Sequence, residues 1–370
     1  MSLYQERLDR IQAAVALEPV DKVPVISGGT AFNAQVAGIT VKTYIDDLQE
    51  QIKANIYATQ AMGNVDGVQG TLFHPGGLAA AWYADVRMPG QELPDNELWQ
   101  IEEPGYVKQE DYDLILEMGF NEWQKMLLGE RMGNPLRRIP KELGPMTPVA
   151  DKAVKDAGFV NIKGTTISGP MEAFCGGRTL VDFLVEDLLE IPEKVEEVFD
   201  KVHEIKMQNY EAKLRASKPM GAWIGLWRGT PSVISPEMFE TFSWKYVREL
   251  AQLCLDCGVI PIFHCDSCWD KGLKYFREMP KGKCILALDG QTDIFLAKEV
   301  VGDHMCIMGD VPAALFAYGS QEDNYNYCRK LCTEIGPTGF LLSSGCDIPF
   351  NGKLENVQMM AKAADDCAKK

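Results

Sequence analysis

The sequence predicts a (β/α)8 TIM barrel, an α/β fold formed as a single domain over residues 1–370, with an inserted lobe after the second strand. Three observations predict it. The 370 residues exceed an ordinary domain but suit a closed α/β barrel, which runs to about 250 residues before insertions. Eight apolar stretches of strand length are separated mostly by helix-like segments, and such a βα series closes into a parallel barrel. After the second of these, about 90 residues (Thr71–Val160) pass before the third, far more than a βα loop requires.

The first strand is placed near Val23–Ser27 and the second near Asp66–Gly70. The lobe over 71–160 follows the second strand, so it belongs to the C-terminal face, where barrels bind substrates. Its aromatic pair Trp82-Tyr83 and the helix-like Asp111–Leu128 are expected to cover the site. The third strand is placed at Asn161–Ser168 and the fourth at Gly221–Leu226. Phe239, Phe242, Tyr246, Leu250, Cys254 and Cys257 then recur at three- and four-residue spacing, which puts them on one face of a helix. Gly258 ends that helix. The remaining strands are Val259–His264, Cys284–Asp289, His304–Gly309 and Gly339–Ser343.

Hydrophobic residues at 46% and charged residues at 24% leave room for a large core. With 37 basic and 53 acidic side chains the net charge is −16, which repels phosphate backbones and excludes nucleic acid as an expected partner. No apolar run approaches the ~18 residues of a spanning helix, and the opening segment lacks a signal-type apolar core. A cytoplasmic protein without a membrane partner is expected. The 11 cysteines then read as reduced thiols, core fillers or metal ligands, not as a disulfide scaffold.

Dinucleotide, P-loop, HExxH and GxSxG motifs are absent. What remains is sulfur and imidazole. Phe263-His264-Cys265-Asp266-Ser267-Cys268 follows the fifth apolar strand, at the catalytic rim. Strand parity turns His264 and Asp266 to one side and Cys265 to the other if the backbone stays extended; Cys268 reaches the rim only through the loop. Cys346 occupies the same rim after the eighth strand. One imidazole, one or two thiolates and a carboxylate suit tetrahedral Zn²⁺. On residues alone, a satisfied rim histidine and a buried thiol are the favoured reading of His264 and Cys346, with the metal site as the other.

Cys254-x-x-Cys257 with Cys265-x-x-Cys268 looks like a four-cysteine zinc module. The gap between the pairs is short, however, and the first pair lies on an apolar helix face, so core packing is expected. Glu172, after the third strand, is a candidate catalytic acid or ligand, or a carboxylate favoured at a helix start. Trp223 and Trp227 border the fourth strand and are candidates for stacking an aromatic substrate, or for barrel packing. Arg228 is a candidate anion contact. His74, in Phe73-His74-Pro75-Gly76-Gly77, is a candidate substrate contact or a turn residue. His203 lies in a charged helix and is expected in solvent.

Several motifs in order make the chain resemble the uroporphyrinogen decarboxylase superfamily along nearly its whole length. They are Glu6-Arg7 through Val20-Asp21-Lys22-Val23-Pro24, Gly169-Pro170, Ile191-Pro192-Glu193-Lys194-Val195 and Ser235-Pro236-Glu237-Met238-Phe239. His264-Cys265-Asp266 and Ser344-Gly345-Cys346-Asp347-Ile348-Pro349 with Leu354-Glu355-Asn356 complete the set. The resemblance implies a (β/α)8 barrel. True decarboxylases carry an arginine-rich segment after the first strand, whereas here Ile26-Ser27-Gly28-Gly29-Thr30-Ala31-Phe32-Asn33 stands in its place and no arginine occurs between Arg10 and Arg87. A substrate bearing many carboxylates needs such partners to be buried.

The resemblance therefore points to the superfamily's other branch, zinc-dependent methyltransferases that work with corrinoid proteins. It implies Zn²⁺ and a corrinoid (cobamide) carried by a partner protein. Cys346 matches that branch's distal thiolate. The proximal motif is usually His-x-Cys, so Asp266 stands at the second ligand position, with Cys268 as the alternative ligand. The branch's further acidic ligand has no clean match around Asp289-Gly290-Gln291. The expected function is methyl transfer between a small methylated substrate, such as a methoxylated aromatic, or a thiol, and the corrinoid protein. A decarboxylase-type lyase and a non-catalytic corrinoid- or tetrapyrrole-binding protein are the alternatives.

Overall fold

Parallel pairing links the strands in the expected order in the computed structural model, which describes residues 2–368. Val25–Ser27, Gly67–Val68, a third strand in two pieces, Gly221–Leu226, Ile260–Cys265, Ile285–Leu288, Cys306–Val311 and Phe340–Ser344 follow one another around the sheet. The first strand pairs with the eighth, Val25 opposite Leu342 and Ile26 opposite Ser343. The third strand is broken where an unbroken Asn161–Ser168 was expected. Val160–Asn161 pairs with the second strand and Thr165–Ile167 with the fourth. Between them Ile162 N–H donates to Val68 and Gly164 N–H to Gly221, so the chain steps from one neighbour to the other and completes the TIM-barrel ring. Lys163 falls in this step, where a charged side chain escapes the packed ladder.

Period-two alternation divides the strand residues between two layers. Ile26, Ile162, Ile262, Ile285, Ala287, Met308 and Leu341 point into the barrel, where Ile11, Ala14 and Val15 of the first helix, Leu3–Val15, join them. That helix is fixed by buried Arg10, whose Nη1 lies 2.5 Å from Asp66 Oδ1 just before the second strand. Its position closes the N-terminal end and leaves the C-terminal mouth open. Val25, Ile224, Phe263, Cys265, Leu286 and Leu342 face outward into the core shared with the surrounding helices.

The helix before the fifth strand buries Phe239, Phe242, Tyr246, Leu250 and Cys254, as their spacing requires. Gly258 follows it at φ +72°, a left-handed position glycine occupies without steric cost. Several boundaries shift from expectation by one or two residues, and two have a visible cause. The Asp111–Leu128 stretch is split into Asp111–Met118 and Phe120–Met126 at Gly119, φ +85°, because a positive φ interrupts the helical ladder. The seventh strand starts at Cys306 rather than at His304, which turns its Nε2 to Met279 O at 2.6 Å. Between the second and third strands the chain also forms an antiparallel hairpin, Asp85–Arg87 with Gln100–Glu102. It then runs into the third strand through the helix Leu143–Asp156. No helix among the described residues is long and apolar enough to cross a membrane.

Candidate active site at the barrel mouth

The fifth strand stays extended through Cys265, and its alternation sets the site. Cys265 is fully buried among the outward-facing residues, while His264 faces the barrel interior and stacks on Trp223 of the fourth strand, with 4.0 Å between ring centroids and 4° between planes. Register puts His264 beside Gly225, and Trp223 lies two residues earlier on the same face. Asp266 follows on the side of His264, its Oδ1 3.2 Å from His264 Nε2.

The eighth strand delivers the third group. Its last residues lead into Gly345 and Cys346, and a Cβ at Gly345 would stand 2.4 Å from the Asp289 carbonyl. Only glycine lets that turn pass so close to the sixth strand. The result is that one ligand atom each from His264, Asp266 and Cys346 lie within 4.8 Å of one another. Cys268 lies outside this cluster, because Ser267 takes φ +66° and the chain turns away. Trp269 N–H then donates to Thr292 Oγ1 at 2.9 Å.

Negative charge is concentrated around the cluster. Cys346 is open to the mouth but recessed among protein atoms. Desolvation there, followed by the charges of Asp347, Asp266 and Asp289, pushes its thiol up to about 12. Asp289 is raised by burial and by Asp266; its two oxygens accept from Ser267 N–H and Gln291 N–H, both at 2.8 Å. Asp347 is raised by desolvation, opposed chiefly by Lys163, and accepts a hydrogen bond from Thr30 Oγ1 at 3.0 Å. His264 Nδ1 is buried without a hydrogen-bond partner. A divalent cation would offset this crowding and draw the thiol toward its anionic form.

The other expected residues are placed as follows. Glu172 is buried, and its oxygens accept from Arg228 N–H at 3.0 Å and Gly229 N–H at 3.2 Å. Through these two bonds it holds the backbone just after the fourth strand, and burial, only partly offset by them, raises its pKa to about 7. The Arg228 guanidinium pairs with Glu103, next to the hairpin. Trp227 meets Trp82 edge-to-face at 5.1 Å, and its indole folds back over Gly225, where a Cβ would lie 2.3 Å from the ring. His74 is buried in its turn, and its Nδ1 accepts from Gly76 N–H at 3.1 Å. His203 is buried rather than solvated. Its Nε2 lies 3.0 Å from Glu249 Oε2, and its ring packs on Tyr246, because the neighbouring helix covers that face.

Lys163 was not singled out by the sequence analysis. Its ammonium lies 4.0 Å from the Trp223 ring centroid, so Trp223 contacts both a cation and the His264 imidazole. The available signal was the single charged residue in the strand-length stretch Asn161–Ser168.

Comparison with known proteins agrees with this architecture. The family model described as uroporphyrinogen decarboxylase (URO-D) matches residues 168–367. A curated uroporphyrinogen decarboxylase from Sulfurimonas denitrificans is 24% identical over 182 residues, covering 48% of this chain and 50% of that protein. The match thus spans half the length of that relative. A solved structure of a methyltransferase from Methanosarcina mazei superposes with a TM-score of 0.68 at 18% identity, covering 99% of both chains.

Proposed function

The chain belongs to the uroporphyrinogen decarboxylase (URO-D) family, and from that premise we propose that it is a zinc-dependent methyltransferase. It moves a methyl group between a small methylated substrate or thiol and a corrinoid carried by a partner protein. The observation that carries this proposal is the meeting of His264, Asp266 and Cys346 within 4.8 Å at the C-terminal mouth. Three protein ligands with an open fourth position are the pattern of catalytic zinc sites. The structural likeness to a methyltransferase over 99% of the chain supports the same assignment.

The donors fit zinc: imidazole nitrogen, thiolate sulfur and carboxylate oxygen are all common ligands. When bound, zinc would supply Lewis-acid polarisation of an ether oxygen or a thiol. The chain's own side chains do the positioning. Trp223 fixes the imidazole plane by stacking. Glu172 anchors the backbone of residues 228 and 229 through two N–H groups, and we assign it that role beside the site. The lobe over 71–160 is proposed to cover the mouth, because Glu103 and Trp82 engage Arg228 and Trp227 at the rim. We place the protein in the cytoplasm, where thiolate ligands stay reduced.

The experiment is elemental analysis of the purified protein and of Cys346→Ala, followed by incubation with methylcobamide and thiols, or with cob(I)amide and methyl donors. About one zinc per chain, lost in the variant, with a corrinoid spectral change in one direction, is the expected result. Zinc held by other residues, or no transfer in either direction, overturns the assignment. Release of carbon dioxide from a tetrapyrrole acid would instead identify a decarboxylase.

A further inference from the structure

Beside the reaction centre, the rims of the first three strands and the helix Leu143–Asp156 enclose a cavity of about 340 Å³. Lys163 and Lys213 line it, and no carboxylate does. That is unusual in a chain with 53 acidic residues and a net charge of −16. Among the described residues neither lysine makes an ion pair or a side-chain hydrogen bond. The Lys163 ammonium instead lies over the Trp223 indole. Desolvation lowers its pKa, with Asp347 and Cys346 opposing. Lys213 is exposed at the edge of the same cavity.

A half-buried ammonium with no ion pair or hydrogen bond carries a desolvation cost that a ligand would relieve. With a second lysine and no carboxylate in the same wall, the matching ligand is an anion, since both ammoniums donate with charge. The cavity is also coupled to the reaction centre. Thr30 lines it and donates to Asp347, the neighbour of Cys346. Two steps of 4.0 Å, Lys163 to Trp223 and Trp223 to His264, connect the ammonium to the imidazole.

We infer that this cavity is an anion subsite, in which Lys163, with Lys213 at the edge, receives the carboxylate, sulfonate or phosphate group of a small organic substrate whose reacting end lies at His264, Asp266 and Cys346. The position of the reacting end rests on the methyltransferase assignment above; the anion subsite does not. Cation–π contact holds the ammonium in place, and the cavity accepts a single charged end rather than a polyanion.

The test is calorimetric titration of the full chain at fixed ionic strength with benzoate, methanesulfonate and inorganic phosphate, and with neutral benzamide as control. Benzoate is expected to bind saturably and about tenfold or more tighter than benzamide. The rank of the three anions identifies the headgroup. Lys163→Met should weaken the best anion by about tenfold, while Lys163→Arg keeps it within a few-fold. Zinc content should stay at the wild-type level in both. If Lys163→Met does not fold, Lys213→Met, at the exposed edge of the cavity, should weaken the anion by a few-fold. Equal affinity for benzoate and benzamide, or unchanged anion affinity in the folded variants, overturns the proposal. Anion binding without any methyl transfer leaves the subsite standing and removes the methyltransferase; methyl transfer without anion preference does the reverse.

Discussion

The indole of Trp223 lies parallel to the imidazole of His264, 4.0 Å between centroids, and this pairing fixes the ring that faces Asp266 and Cys346. Imidazole rotation about its terminal torsion is otherwise broad. Stacking against a residue of the neighbouring strand therefore sets the direction of His264 Nε2 before any ligand arrives. The same indole carries Lys163, so one side chain organises both ends of the mouth.

Asp266→Ala should harm metal binding and catalysis more than Cys265→Ala. Asp266 lies 3.2 Å from His264 Nε2, whereas Cys265 is fully buried on the outward face. Loss of the carboxylate is expected to cost about 10–100-fold in zinc affinity or rate. Cys265→Ala should cost on the order of 1 kcal/mol of stability. Zinc titration and urea unfolding of both variants check this, and metal loss confined to the Cys265 variant would contradict it.

Cys254→Ala should lower stability by on the order of 1 kcal/mol and leave metal content unchanged, since it removes a buried thiol from a helix face. Cys257→Ala, at a half-buried position after that helix, should cost less. Elemental analysis decides whether either cysteine belongs to a metal site.

Glu172 gives the protein a pH-dependent stability term. Burial raises its pKa from 4.5 to about 7, so the folded state keeps a proton that the unfolded chain releases. Stability therefore falls as pH rises between those values, by on the order of 3 kcal/mol from this group alone. Glu172→Gln should flatten the slope while giving up one of two backbone hydrogen bonds, at about 1 kcal/mol. Urea midpoints of both proteins across that window test the sign; an unchanged slope in the variant would refute it.

Arg228→Ala should loosen the hairpin segment without unfolding the barrel. Its guanidinium pairs with Glu103, each about a quarter exposed, so the pair is worth about 1 kcal/mol after solvent screening. Faster hydrogen exchange is expected across 85–103, with the fifth and eighth strands unaffected. Uniform exchange over the whole chain would indicate that the contact supports the barrel itself.

The sequence alone determined the barrel and much of its mouth. Eight apolar stretches lie on the eight strands because burial on both faces of a parallel strand leaves a continuous apolar run. Parity of an extended strand was enough to separate His264 and Asp266 from Cys265. Distance in space was not legible. That Cys346, eighty residues after Asp266, meets it within 4.8 Å depends on a ring that brings the fifth and eighth strands to one mouth, and on Gly345 passing the Asp289 carbonyl. Lys163 went unnoticed because its significance lies in what surrounds it: an indole within 4.0 Å and a cavity wall that no carboxylate lines. Glu172 and Arg228 were legible as charged rim residues, but their partners, backbone N–H groups in one case and Glu103 in the other, come from segments that only the folded chain brings together. Local patterning follows from periodicity, which a sequence carries in every window; pairing and desolvation are properties of the enclosure, and these the tertiary structure decided.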